Sequence, residues 1–282
     1  NIMVGNGSTE LIYLIMKVVK PSLILLLAPT FSEYERAAKI EGVREIRYVF
    51  LQEKEVFKID VQRYMEAMEG CEVAFLCNPN SPTASYLEKD EVLQIAKRAA
   101  EVNCLLVVDE AFVDFLPYIS VQKEVEANPN LLVLYSMTKF YALSGLRLGL
   151  LFFHKRLSTD FRMYKEPWTV NLLAQKAGAI ALKDKEYVRR TFLFLKAEKQ
   201  YVEKKLRQLN IHYYPSKINF YLLRHDNANV LYNSLKKTGI LIRDCSNYYG
   251  LDENFLRIGI SGRRQNAVLF RTIAAMKTKT IF

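Results

Sequence analysis

The chain has 282 residues, 50% of them hydrophobic, with 40 Lys and Arg against 30 Asp and Glu for a formal net charge of +10, which is enough apolar material for one large and one small domain. The basic residues are spread along the chain and no nucleic-acid motif accompanies them, so nucleic acid is excluded as a partner and the charge reads as a basic surface that attracts anionic small molecules. No apolar run reaches the ~18 residues of a membrane span and no signal peptide is present, so the expectation is a soluble, cytoplasmic protein with no membrane partner.

The first element is a glycine-rich start, Gly5-Asn6-Gly7-Ser8-Thr9-Glu10, opening a helix predicted over residues 9–19. Apolar runs at 23–27, 46–50, 73–77, 105–108, 131–135 and 148–153 then read as strands. Amphipathic stretches at 32–40, 60–68 and 89–102 read as helices between them. Continuous apolar strands separated by helices predict a parallel sheet buried on both faces, an α/β fold. Residues 171–209 form a helical stretch interrupted only by Gly178 and Lys183-Asp184, a connecting helix pair. Strands at 219–223, 240–243 and 255–260, with helices at 229–237 and 265–276, make a small α+β domain. The boundaries predicted are a large domain over 1–163, connecting helices over 164–200 and a small domain over 201–282. Cys71, Cys77, Cys104 and Cys245 form no metal-binding spacing, and His154, His212 and His225 are scattered, so no metal site is expected.

In sheets of this kind ligands bind beyond the carboxyl ends of the strands. Three polar pieces fall there: Asn78–Thr83 after the run at 73–77, Asp109 after 105–108, and Lys139 shortly after 131–135. Together they supply what pyridoxal 5'-phosphate (PLP) needs. Lys139 can form a Schiff base with an aldehyde, and a buried pocket beside Arg147 would keep it partly deprotonated. Asp109 can hold a pyridine nitrogen protonated. Ser136, Thr138, Arg147 between Gly145 and Gly149, and the helix start at Ser8 and Thr9 can grip a phosphate. Each piece alone has a plainer reading: Lys139 as solvated surface, Asp109 as a cap, Ser136, Thr138 and Arg147 as turn residues. Arg243 and Arg257 read singly as solvated strand edges and jointly as holders of two anionic groups on one substrate. Phe31, Tyr34, Tyr164 and Trp168 read as packing residues.

The stretches VDEAFVDFLP at 108–117, SMTKFYALSGLRLG at 136–149, PWTVN at 167–171 and ILIRDCSNYYGLD at 240–252 are similar to the class I/II aminotransferase superfamily of fold-type I PLP enzymes. The resemblance runs from Gly5 to about Met276, in the branch of histidinol-phosphate aminotransferase and threonine-phosphate decarboxylase. It implies a large domain with a mostly parallel seven-stranded sheet, a small α+β C-terminal domain and a homodimer. It implies Lys139 as the Schiff-base lysine, Asp109 on the pyridine nitrogen, and Ser136, Thr138, Arg147 and the amides of Ser8 and Thr9 on the cofactor phosphate. Phe31 would stack on the ring, and Arg243 and Arg257 would bind the substrate's phosphate and carboxylate. Phe112 stands where the aminotransferase usually has a Tyr reaching the cofactor's phenolic oxygen. With Phe140-Tyr141 and Asn247-Tyr248 it favours decarboxylation of L-threonine O-3-phosphate to (R)-1-amino-2-propanol O-2-phosphate, a step of cobalamin biosynthesis. Transamination of histidinol phosphate is the alternative, and a non-catalytic PLP-binding protein a third. Ser81 and Ala84 depart from the family's Asn and Gly, Ser81 at the position that bonds the phenolic oxygen. Relatives also carry several dozen residues before the GNG segment, and the resemblance implies that an arm closing over substrate and part of the dimer contact are missing here.

Overall fold

A computed structural model describes residues 1–278; the last four positions of the small domain drawn at 201–282 lie outside the described residues. The chain divides into two compact units, Asn1–Ser81 with Ser85–Asp184, and Pro82–Ala84 with Lys185 onward. In chain order the first unit holds β1 (Ile2–Asn6), α1 (Gly7–Val19), β2 (Leu23–Ala28), α2 (Glu33–Ile40), β3 (Glu45–Phe50), the short pair β4 (Gln52–Glu53) and β5 (Phe57–Lys58), α3 (Val61–Ala67), β6 (Val73–Cys77), α4 (Lys89–Glu101), β7 (Leu105–Asp109), β8 (Leu131–Ser136), β9 (Leu148–Phe153), α5 (Ser158–Tyr164) and α6 (Leu172–Ala181).

Seven of these strands form one sheet in the order β1-β9-β8-β7-β6-β2-β3. The five from β8 to β3 run parallel, and β9 and β1 close the other side with antiparallel pairings. The parallel strands read as unbroken apolar runs because both faces are covered. Every residue of β6 and β8 is buried. α1 lays Leu11, Ile12, Leu14, Ile15 and Met16 on one face, against Phe75, Val107, Leu134 and Phe153. A side chain buried this fully contributes about 1.5–3 kcal/mol. The helices begin where polar side chains satisfy their free amides: Asp60 accepts from the Arg63 amide and Asn171 from the Ala174 amide, while Glu88 and Glu91 cap α4 reciprocally.

The second unit holds α7 (Lys185–Gln208), β10 (His212–Tyr213), β11 (Phe220–Arg224), α8 (Ala228–Lys237), β12 (Arg243–Asp244), β13 (Phe255–Gly259) and α9 (Arg263–Thr278). Its four strands pair antiparallel in the order β10-β11-β13-β12. Tyr221, Leu223, Leu256 and Ile258 face a core shared with α7, α8 and α9. The sequence-based boundary at 200/201 falls inside α7, an unbroken helix of 24 residues.

Several local expectations change, and the short elements β4, β5, β10 and α5 come in addition to those expected. The strand expected over 240–243 narrows to Arg243–Asp244, the two residues that pair with β13. β1 was not expected at all. It is an edge strand with mostly exposed residues, so it lacks the apolar run that marks the others.

Candidate active site

The site grows from the carboxyl ends of β6, β7 and β8: Cys77 pairs with Asp109, Asp109 with Leu134, and β8 runs two residues further to Ser136. Asp109, the last residue of β7, is 2% exposed. A carboxylate buried so deeply needs internal donors, and it has two. The Tyr34 hydroxyl donates to Oδ2 at 2.6 Å, and the Ala111 amide donates to Oδ1 at 2.9 Å. Burial pushes the Asp109 carboxyl above its ordinary range, opposed by these two donors and by the positive charge of Lys139. Lys139 and Asp109 therefore share one electrostatic site. The Lys139 ammonium lies 5.7 Å from the centre of the Phe112 ring.

Lys139 is exposed, whereas Met137, Thr138 and Phe140 around it are buried. This corrects the expectation of a buried pocket around the lysine. The buried neighbours anchor the loop, and the amine lies near the Phe112 ring and the Asp109 carboxylate.

The phosphate-binding expectation rests on a corner where β8, β9 and the start of α1 meet. Gly149 pairs with Ser136 on one side and Gly5 on the other. A Cβ on Gly149 would collide with the backbone of Gly7 and Ser8, so glycine lets the first turn of α1 settle onto β9. Gly7, at φ +78°, leaves room for Arg147, whose Nη2 would lie 2.5 Å from a Cβ there. Arg147 itself adopts φ 62°, the left-handed region, with Nη1 donating to the Ser144 carbonyl at 3.2 Å. Holding a non-glycine residue there costs energy that a functional placement can justify. Beside them the buried hydroxyls of Ser136 and Thr138 lie 2.7 Å apart. The first amides of α1, those of Ser8 and Thr9 included, have no intrahelical acceptors. The corner thus combines a guanidinium, two hydroxyls and a helix amino end, kept open by two glycines. That donor set fits a phosphate dianion, and with Lys139 and Asp109 on the same sheet edge the residues fit PLP.

Phe31 is half-buried, with its ring edge-on to Tyr34 at 5.6 Å. Phe112 and Ser81 are buried. The two asparagines before Ser81 have structural partners: Asn78 exchanges hydrogen bonds with the backbone of Leu87, and Asn80 joins the Pro29 carbonyl to Thr30.

In the second unit Arg243 and Arg257 stand directly opposite each other on β12 and β13. The Arg243 guanidinium lies 5.5 Å from the Tyr248 ring and donates to Asn247 at 3.0 Å, while Arg257 lies 4.8 Å over Phe220. Like charges at directly opposed positions disfavour the pairing unless an anion joins them.

Two residues escaped sequence reasoning. Tyr34 read as packing, yet it binds the site carboxylate. Glu110 was not singled out, yet it is buried and accepts from Ser120, Val121 and Gln122 at 2.8, 2.6 and 2.9 Å, pinning the loop after β7. A signal existed in principle: a buried Asp-Glu pair at a strand end demands donors, and aromatic hydroxyls and loop amides are the available ones.

Among the described residues no helix is long and apolar enough to cross a membrane. The chain matches the family Aminotransferase class I and II over residues 1–271. It is 36% identical to the threonine-phosphate decarboxylase of Salmonella typhimurium, over 98% of this chain and 76% of that one. Among solved structures it is similar to the histidinol-phosphate aminotransferase of Clostridium acetobutylicum, with a TM-score of 0.90 and 29% identity over 99% of this chain and 84% of that one. It is also similar to the L-threonine-O-3-phosphate decarboxylase of Porphyromonas gingivalis, with a TM-score of 0.84 and 26% identity over 98% and 83% of the two chains.

Proposed function

The chain belongs to the aminotransferase class I and II family, and we propose that it is a PLP enzyme that decarboxylates L-threonine O-3-phosphate to (R)-1-amino-2-propanol O-2-phosphate. The observation that carries the substrate assignment is the opposed pair Arg243 and Arg257. Two guanidiniums on one sheet face suit a substrate with two anionic groups, and threonine phosphate carries both a phosphate and a carboxylate.

PLP, when bound, supplies an electron sink for the pair left behind as a bond to the substrate α-carbon breaks. The residues of this chain do the rest. Lys139 Nζ is the amine that would hold the cofactor through its aldehyde, and it would move a proton at the substrate α-carbon. Asp109 keeps a proton on the pyridine nitrogen, through a carboxylate whose orientation Tyr34 and Ala111 fix. Arg147, Ser136, Thr138 and the amides of Ser8 and Thr9 hold the phosphate. Phe31, Phe112 and Ser81 would hold the cofactor's ring, as the family resemblance implies. On the family resemblance, Arg243 would take the substrate phosphate and Arg257 its carboxylate.

The likeness to the Clostridium acetobutylicum histidinol-phosphate aminotransferase supports a second reading, transamination by the same lysine. Histidinol phosphate has a phosphate and no carboxylate, and in this reading the second arginine would take the carboxylate of the 2-oxo acid that accepts the amino group. We further propose a cytoplasmic homodimer acting in cobalamin biosynthesis, on the family resemblance.

The test is carbon dioxide release from L-threonine O-3-phosphate with PLP, together with borohydride trapping. Release that disappears in Lys139→Ala, with PLP trapped on Lys139 in the unaltered protein, is the expected result. PLP trapped without release, but with amino transfer from histidinol phosphate to a 2-oxo acid, selects the second reading.

A further inference from the structure

Tyr34 is fully buried, and its ring stacks on Phe75 with centroids 4.7 Å apart and planes 17° from parallel. Its hydroxyl is aimed at Asp109 Oδ2 at 2.6 Å, while the Ala111 amide takes Oδ1 at 2.9 Å. Each oxygen of Asp109 is thereby tied to a different part of the chain, one from 75 residues away and one from two. Among the described residues, the other titratable groups that act on this cluster are the Cys77 thiol on β6 and Lys139 beyond β8. Burial, with Asp109 second, pushes the thiol up to about 12, so it stays neutral. Burial and Asp109 hold the phenol of Tyr34 well above its ordinary range, so it keeps its proton and donates it to the carboxylate.

We propose that Tyr34 is a positioning residue that holds Asp109 ionised and correctly turned to receive a protonated ring nitrogen. The inference rests on the PLP reading above. A carboxyl group enclosed by apolar side chains takes up a proton unless donors stabilise its charge. A protonated Asp109 could not pair with a protonated pyridine. The Ala111 amide is backbone and always present, so the Tyr34 hydroxyl is the donor that the sequence supplies at this point.

The experiment follows the Asp109 carboxyl carbon by NMR in the full chain without cofactor, and separately the pH dependence of PLP affinity. Tyr34→Phe removes only the hydroxyl and leaves the ring stacked. The expected result is that the Asp109 titration moves to higher pH. The acid limb of PLP binding should move with it, so that affinity on that limb falls about tenfold, the size expected for a hydrogen bond to a charged group. Site-specific difluorotyrosine at position 34, a stronger donor of nearly the same shape, should move both to lower pH and covers the case in which Tyr34→Phe does not fold. Titrations and limbs that coincide with the unaltered protein for both substitutions overturn the inference. Failure of the unaltered protein to bind PLP overturns the PLP reading instead, and the carboxyl titration, which needs no cofactor, still decides the role of Tyr34.

Discussion

Arg147 and Gly7 are joined by the absence of a side chain: a Cβ on residue 7 would lie 2.5 Å from Nη2 of the arginine and 3.1 Å from its central carbon. The guanidinium therefore reaches the amino end of α1 only because position 7 is glycine. Gly7→Ala should act twice. At φ +78° the alanine backbone is strained, at a cost of about 1–2 kcal/mol of stability. The methyl also displaces Arg147, so PLP affinity should fall by about tenfold or more, in line with the loss of one charge-assisted contact. A melting curve and an equilibrium titration with PLP separate the two effects. An unchanged affinity in a folded Gly7→Ala protein would remove Arg147 from the phosphate site.

The opposed arginines lead to a prediction of unusual sign. Arg243 and Arg257 repel across the β12–β13 pair in the absence of an anion. Arg243→Ala should leave stability unchanged or raise it by about 0.2–1 kcal/mol. The same substitution should raise KM for L-threonine O-3-phosphate by about tenfold or more, because a guanidinium–phosphate contact is lost. Thermal unfolding and steady-state kinetics read the two quantities independently. A large loss of stability with unchanged KM would make the pair structural.

How far the sequence foretold this depends on what each feature requires. The parallel strands were legible because burial on both faces leaves an uninterrupted apolar signature, and β6 and β9 match the expected spans residue for residue. β1 was hidden because an edge strand needs no such run. The stretch at 240–242 looks like a strand by composition, but only Arg243 and Asp244 find a partner. The burial of Asp109 and the packing of Arg147 against position 7 were foreshadowed by local context, since a charge after a buried strand and an arginine between glycines are both anomalous. The Tyr34–Asp109 bond was not, because it joins residues 75 apart and an aromatic residue in a helix looks like ordinary packing. The exposure of Lys139 departs from the pocket expected beside Arg147 and agrees with its plainer reading, while the buried Met137, Thr138 and Phe140 around it anchor the loop.

Glu110 gives a pH signature of stability. Burial raises its carboxyl from 4.5 to about 7, with Asp114 adding to the rise and the donors Val121, Ser120 and Gln122 opposing it. A carboxyl whose folded pKa lies above its unfolded value favours folding in its protonated form. Its contribution is complete below about 4.5 and is lost as pH rises through about 7. The shift corresponds to on the order of 3 kcal/mol across that window. Unfolding free energy measured between these limits should fall with rising pH, and Glu110→Gln should flatten that part of the profile, since an amide cannot titrate. An identical slope in both proteins would mean that Glu110 stays ionised throughout.

The joint between α7 and α9 is built around one buried carboxylate. Glu198 is 5% exposed, and it accepts from Arg263 Nε at 2.9 and 3.2 Å and from Asn266 Nδ2 at 2.8 Å. Asn266, itself 2% exposed, also donates to the Ser261 carbonyl at 2.6 Å and accepts from the Ser261 amide at 3.1 Å. One carboxylate thus ties two helices and the turn that enters α9. Its guanidinium partner is 55% exposed, so solvent screens that half of the interaction. The larger loss on removing Glu198 should come from the buried Asn266 amide, left with one fewer acceptor. Glu198→Ala should therefore destabilise by about 2–3 kcal/mol, the cost of an unsatisfied buried donor plus lost packing. Arg263→Ala should cost only about 0.2–1 kcal/mol. A double-mutant cycle separates the parts: coupling between positions 198 and 266 should exceed that between 198 and 263. The reverse order in urea unfolding would assign the joint to the ion pair instead.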